Sequence, residues 1–154
     1  MVDAVNRSPI VRPTVLIADD DEMLQEALQE MLQDEGYEIV GVTGNGVQAI
    51  ELGRDLKPDL ALIDYRMPGA DGVYVTEAIK EHSPDTQILM FTAFNETSLS
   101  IDAARVGIFA FLVKGCAPSL IFQALESALK HKHELAGVPG PGIAHGTTTP
   151  PSNL

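Results

Sequence analysis

Five polar residues stand where apolar runs end. Asp19 and Asp20 follow residues 14–18, Asp64 closes 60–64, Thr92 closes 87–92 and Lys114 closes 109–114. Together, carboxylates, a hydroxyl and an ammonium make a particular chemistry available. Three carboxylates in one cleft repel, and at least one pKa rises unless a cation binds. A hard divalent ion taking oxygen ligands relieves that repulsion, and Mg2+ is the expected one. Beside Mg2+ and Lys114, the Asp64 carboxylate can act as a nucleophile toward a phosphoryl group and carry it as an aspartyl-phosphate. Lys114 would hold a phosphoryl oxygen, and Thr92 would donate a hydrogen bond to it. Each residue alone has a plainer reading. Asp19 and Asp20 suit the dipole of a following helix, Thr92 is a β-branched strand end, Lys114 a solvated tip and Asp64 a loop cap. Contributions from four separate apolar runs, all in one cleft, favour the joint reading.

Whether these groups meet depends on the elements between them. Residues 14–18, 37–43, 60–64, 87–92 and 109–114 are apolar, β-branched-rich runs that read as strands. Between them, apolar residues recur at helical spacing. Met23, Leu24, Ala27, Leu28, Met31 and Leu32 mark a first helix that stops at Gly36. Gly44-Asn45-Gly46 reads as a turn, and Val47, Ala49, Ile50 and Leu52 mark a short second helix ending before Pro58. A third helix over 73–81 takes Asp71 as its cap. A fourth, capped by Asn95, carries Leu99, Ile101, Ala104 and Val106 and stops at Gly107. Pro118 opens a fifth, which runs to about His133. Strands alternating with helices predict an α/β fold, a five-stranded parallel sheet covered on both faces in a (βα)5 order. Right-handed crossovers then bring the five polar residues to one edge of the sheet. The stretch after Asp64, Met67-Pro68-Gly69-Ala70-Asp71-Gly72, is a constrained loop, because Pro68 lacks an N–H and the glycines permit positive φ.

At 154 residues and 45% hydrophobic, the chain can bury one core. The expected division is an N-terminal extension over 1–13, a domain over 14–134, and a Gly/Pro/Thr-rich tail or linker over 135–154. Net charge is −12, which disfavours binding to nucleic acid or an anionic membrane. One cysteine, Cys116, excludes an internal disulfide and suits a reducing compartment. With no apolar h-region near the start and no run approaching the ~20 residues of a membrane span, the cytoplasm is the expected location.

Residues 14 to about 133 resemble the receiver domain of two-component response regulators. The residues that carry the resemblance are Asp19-Asp20, the loop from Asp64 through Tyr65, Arg66 and Met67-Pro68-Gly69-Ala70-Asp71-Gly72, then Thr92-Ala93, and Lys114 after an apolar strand. The resemblance implies a flavodoxin-like, doubly wound sheet of order 2-1-3-4-5. It implies Asp64 as phosphoacceptor, Asp20 as a direct Mg2+ ligand, Asp19 as a ligand directly or through water, and the main-chain carbonyl of Arg66 as a further ligand. It also implies a sensor histidine kinase or phosphotransfer protein as phosphodonor. Thr92 and Phe111 take the family's switch positions, with the surface around the fourth helix, fifth strand and fifth helix as the output face. Such a chain phosphorylates itself from a donor and slowly loses the group, and is otherwise not an enzyme.

Some positions depart from the family pattern. The run Asp19-Asp20-Asp21 also allows Asp20-Asp21 as the acid pair, although the apolar stretch ending at Ala18 favours Asp19-Asp20. The switch aromatic is Phe111, without a hydroxyl. Gly115 follows Lys114 where many relatives have a cis proline, and a trans bond is expected because a cis non-proline bond costs about 3 kcal/mol. Glu22, Glu26, Glu30 and Asp34 recur every fourth residue on the first helix, either as a solvated face or as an acidic docking strip for the kinase. The fifth helix has apolar residues beyond one buried face, Leu120 and Phe122 among them, which suits a downstream protein target or a homodimer. His131 and His133 have the spacing of a weak metal pair but read better as a frayed helix end. Two other functions stay open. One is the receiver part of a transcriptional regulator whose DNA-binding output domain is absent from this chain. The other is a Mg2+-dependent phosphohydrolase with an aspartate nucleophile, which Arg66 disfavours by standing where such enzymes place a second acid.

Overall fold

The computed structural model describes residues 11–93 and 104–135. Five parallel strands, β1 (Thr14–Ala18), β2 (Glu38–Thr43), β3 (Leu60–Asp64), β4 (Gln87–Thr92) and β5 (Ile108–Val113), lie in the order β2-β1-β3-β4-β5. Helices α1 (Glu22–Asp34), α2 (Gly46–Leu56) and α3 (Gly72–His82) and a C-terminal helix (Pro118–Leu135) connect and flank them. The flavodoxin-like, doubly wound sheet expected from the strand–helix alternation is the fold observed.

Alternation along each central strand divides the core between two faces. Val15, Ile17, Leu60, Leu62, Leu89 and Phe91 pack with Leu28 and Leu32 of α1 and with Ile121, Leu125 and Ala128 of the C-terminal helix. Leu16, Ala18, Ala61, Ile63 and Ile88 point the other way, onto Ala49 of α2 and onto Val75 and Ile79 of α3. The strands carry no polar alternation because both faces are covered.

Thr76 on α3 is fully buried, and its hydroxyl has no hydrogen-bond partner among the described residues. Such a group bears its desolvation cost without return. Thr76→Val keeps the shape and removes the hydroxyl, so it is expected to stabilise the fold by about 1 kcal/mol. An upward shift of the urea midpoint at unchanged slope checks this.

Local signals set most boundaries. Asp21 caps α1, accepting from the amides of Met23 and Leu24. Gly36, at φ +94°, releases the chain from that helix. Asp71 caps α3, as expected, accepting from the Tyr74 amide. Gly46, expected in a turn, is instead the first residue of α2, with Asn45 as its cap. β5 begins and ends one residue earlier than expected, which puts Lys114 just beyond it. Of the expected fourth helix, residues 104–106 are helical, while Asn95, Leu99 and Ile101 lie outside the described residues. The last helix does not fray at His131 and His133 but continues to Leu135, and the His131 ring packs against Phe109 at 5.3 Å.

The end of the sheet away from the polar cluster is tied by Asp59. Its carboxylate accepts from the amide of Thr14 at 2.8 Å and from the Thr14 hydroxyl at 3.1 Å, and lies 3.5 Å from the Lys132 ammonium. The starts of β1 and β3 and the last turns of the C-terminal helix therefore share one junction.

Candidate functional site

The sheet's hydrogen-bond ladder runs on past the strand ends and holds the polar residues there. The Asp19 amide donates to the Thr43 carbonyl at 2.9 Å, that of Tyr65 to Phe91 at 3.0 Å, and that of Lys114 to Thr92 at 2.8 Å. Asp19, Asp64 and Thr92 are buried, Lys114 is half-buried and Asp20 is exposed. One oxygen from each of Asp19, Asp20 and Asp64 lies within 4.8 Å of the other two. Asp20, Asp64, Tyr65, Arg66, Thr92, Ala93 and Lys114 line the cleft above them.

Lys114 organises the floor of this cleft. Its ammonium donates to Asp64 Oδ2 at 3.0 Å and lies 3.1 Å from Asp19 Oδ2. That Asp19 oxygen is fully buried and has the charge beside it but no well-aligned hydrogen bond. Burial raises the Asp64 carboxyl above its usual range and the Asp19 charge adds to the rise, outweighing the Lys114 hydrogen bond that acts to lower it. For Lys114 the balance is reversed. Burial disfavours the ammonium, but its hydrogen bond to Asp64 and the adjacent Asp19 and Asp64 charges outweigh that and keep it charged beyond its ordinary range.

Three carboxylates against one ammonium leave an excess of negative charge on oxygens that converge. With one Asp19 oxygen buried and not hydrogen-bonded, the donor set suits a small hard cation. Asp21 is not in this cluster, since its side chain is committed to the cap of α1. Arg66 is exposed at the rim with its guanidinium 5.1 Å from the Tyr65 ring, and its amide points at Asp64 Oδ1 from 3.4 Å.

Phe111 stands apart from the cluster, exposed on β5. It pairs with Met90, two pairs before Thr92↔Val113, so Thr92 and Phe111 are diagonal neighbours on one face of the sheet. Leu120 and Val113 are exposed near it, whereas Phe122 packs partly against the core. Glu22, Glu26, Glu30 and Asp34 all lie exposed on α1.

Spacing alone gave no hint of the support behind the cleft. The turn ahead of α2 touches both loops that carry the acids: the Gly46 amide donates to the Pro68 carbonyl at 2.9 Å, and Gly44 lies against Asp20. The Asn-Gly pair before an apolar helical pattern was the available sign, but it reads as an ordinary turn.

Residues 15–126 match the family model described as the response regulator receiver domain. The chain is 39% identical over 128 residues to the transcriptional regulatory protein PdtaR of Mycobacterium tuberculosis, covering 82% of this chain and 61% of that protein's length. It is 32% identical over 116 residues to the chemotaxis protein CheY of Thermotoga maritima, covering 75% of this chain and 97% of that one. Among solved structures, the CheX-CheY-BeF3-Mg2+ complex from Borrelia burgdorferi aligns with TM-score 0.68 and 25% identity, over 74% of this chain and 87% of that one. No described helix is long and apolar enough to cross a membrane. Sheet order, acid cluster and sequence likeness agree, and the chain belongs to the response regulator receiver domains of two-component systems.

Proposed function

We propose that this receiver is a phosphorylation switch whose acceptor is Asp64, with a sensor histidine kinase or phosphotransfer protein as donor. The observation that carries the reading is Lys114, whose ammonium bridges Asp64 and Asp19 at the foot of a cleft closed by Thr92. Asp19, Asp20, Asp64 and the main-chain carbonyl of Arg66 are the groups that would hold Mg2+, in line with the ion named for the Borrelia complex. Bound there, Mg2+ supplies positive charge for the phosphoryl oxygens. An Asp64 carboxylate oxygen attacks phosphorus, the bond from phosphorus to the donor's imidazole nitrogen breaks, and its electron pair stays on that nitrogen. Lys114 moves its hydrogen bond from the carboxylate to a phosphoryl oxygen. The Thr92 hydroxyl donates to another. Residues 14–134 form the receiver unit in this reading, in the cytoplasm, with 135–154 as linker or tail. Incubation with Mg2+ and acetyl phosphate, followed by intact mass, tests it. One added phosphoryl group is expected, and an unchanged mass with this donor and with histidine kinases would overturn it.

The same reading couples the acceptor to β5, supported by the shared face of Thr92 and Phe111. Turning Thr92 toward the phosphoryl group vacates space on the face it shares with Phe111, and the exposed ring can move into that space. Without a hydroxyl on Phe111, the inward state depends on packing beside Thr92, and an energy gap of a few kcal/mol suffices. Thr92→Ala is expected to accept phosphate yet lose the amide NMR shifts that phosphorylation causes in residues 104–125. Equal shifts in variant and wild type would show that the coupling is wrong.

A further inference from the structure

The loops holding the acids do not touch only each other. The turn between β2 and α2 lies behind both. We propose that Gly46 is a positioning residue for the divalent-ion site, acting through the segment Pro68–Gly69–Ala70. The inference rests on Asp19, Asp20 and Asp64 being the ion's ligands.

The case is one of space. A Cβ placed on Gly46 would lie 2.3 Å from the Ala70 carbonyl oxygen, 2.8 Å from the Ala70 amide nitrogen and 2.9 Å from its Cβ. Two of these atoms are backbone and cannot swing aside. Gly46 is not among the glycines with positive φ, so alanine fits its conformation. As the first residue of α2 it would even gain helix propensity from alanine. It is the neighbouring loop that forbids a side chain there.

That loop cannot absorb the push locally. The Gly46 amide holds the Pro68 carbonyl, and Gly69, at φ +93°, packs against the Asn45 side chain. Beyond Ala70, the Gly72 amide donates to the Tyr65 carbonyl at 2.7 Å, and a Cβ on Gly72 would fall 2.7 Å from the Asp64 carbonyl oxygen. With its far end pinned, displacement of Ala70 passes back through Met67 to Arg66 and Asp64. On the other side of the turn, a Cβ on Gly44 would lie 3.1 Å from Asp20 Cα and 3.4 Å from the Asp19 carbonyl oxygen. The turn thus sets the separation between the acid pair and the acceptor loop. Mg2+ demands near-octahedral geometry at about 2.0–2.1 Å, so a shift of a few tenths of an ångström in one ligand loop weakens binding.

Gly53 separates positioning from ordinary packing. It lies on the same helix, and a Cβ there would meet the Ile79 side chain at 2.7 Å, within the α2–α3 contact rather than against either acid loop. The test uses the full chain and measures Mg2+ affinity by calorimetry, melting with and without Mg2+, and phosphorylation rate from acetyl phosphate across Mg2+ concentrations. Gly46→Ala is expected to raise the Mg2+ Kd about tenfold or more, within the range seen when support behind a metal ligand is lost. Its phosphorylation rate should approach that of wild type at saturating Mg2+. Gly53→Ala should melt lower and keep the wild-type Kd. A wild-type Kd in Gly46→Ala, or an equal loss in Gly53→Ala, overturns the proposal. If Gly46→Ala does not fold, Gly44→Ala, with its milder contact, should still raise the Kd measurably, and an unchanged value there overturns it as well. A wild-type chain that binds no Mg2+ would remove the underlying acid-site reading, a result distinct from wild-type binding that Gly46→Ala leaves intact.

Discussion

Asp64→Asn is expected to remain at its unmodified mass under conditions that fully phosphorylate the wild type. Asparagine keeps the shape but offers a neutral amide in place of the nucleophilic carboxylate. No described neighbour substitutes for it. Asp19 is buried against Lys114 below the cleft, and Asp20 is exposed to one side. The loss should be complete rather than partial. The variant should fold at least as well as wild type, because Asp64 is a buried acid whose charged form is disfavoured by its surroundings. A phosphoryl group mapped elsewhere in the wild type, or gained by the variant, would sink the assignment.

Removing the exposed acid should have an equally large effect on metal. Asp20→Ala is expected to lose the thermal stabilisation that Mg2+ confers on the wild type. At about a hundred times the dissociation constant, an ion that binds only the folded state adds about 2.7 kcal/mol. The sign without Mg2+ is opposite. Deleting one of three converging carboxylates relieves repulsion, so the apo variant should melt no lower than apo wild type. Phosphorylation should slow sharply even when donor is in excess. An intact Mg2+ response in Asp20→Ala would exclude Asp20 as a ligand, and Asp21 is poorly placed to replace it because its carboxylate caps α1.

The central sheet was legible because burial on both faces leaves a simple mark. β1, β3 and β4 begin and end where their apolar runs do. β2 and β5, at the two edges of the sheet, are less buried and were displaced by one residue at one or both ends. The polar set could be read because topology alone carries strand ends to one edge. Asp21 could not be assigned from the run of aspartates, since a cap and a ligand are the same residue type and differ only in which amides lie within reach. Gly46 was illegible for a similar reason. A glycine needed for space looks the same as one needed for a turn until the facing Ala70 backbone is known.

The junction at Asp59 makes the two poles of the domain unlike. It joins the roots of β1 and β3 to the last turns of the C-terminal helix by two hydrogen bonds and a partly exposed ion pair, the latter worth about 1 kcal/mol or less. One pole is thus tied across three elements while the acid cluster sits at the other. The C-terminal helix reaches from one to the other, held along its length by Ile121, Leu125 and Ala128 in the core. Any rearrangement at Lys114 would therefore meet first the flank formed by β5 and the first turns of that helix, at the opposite pole from the tie at Lys132.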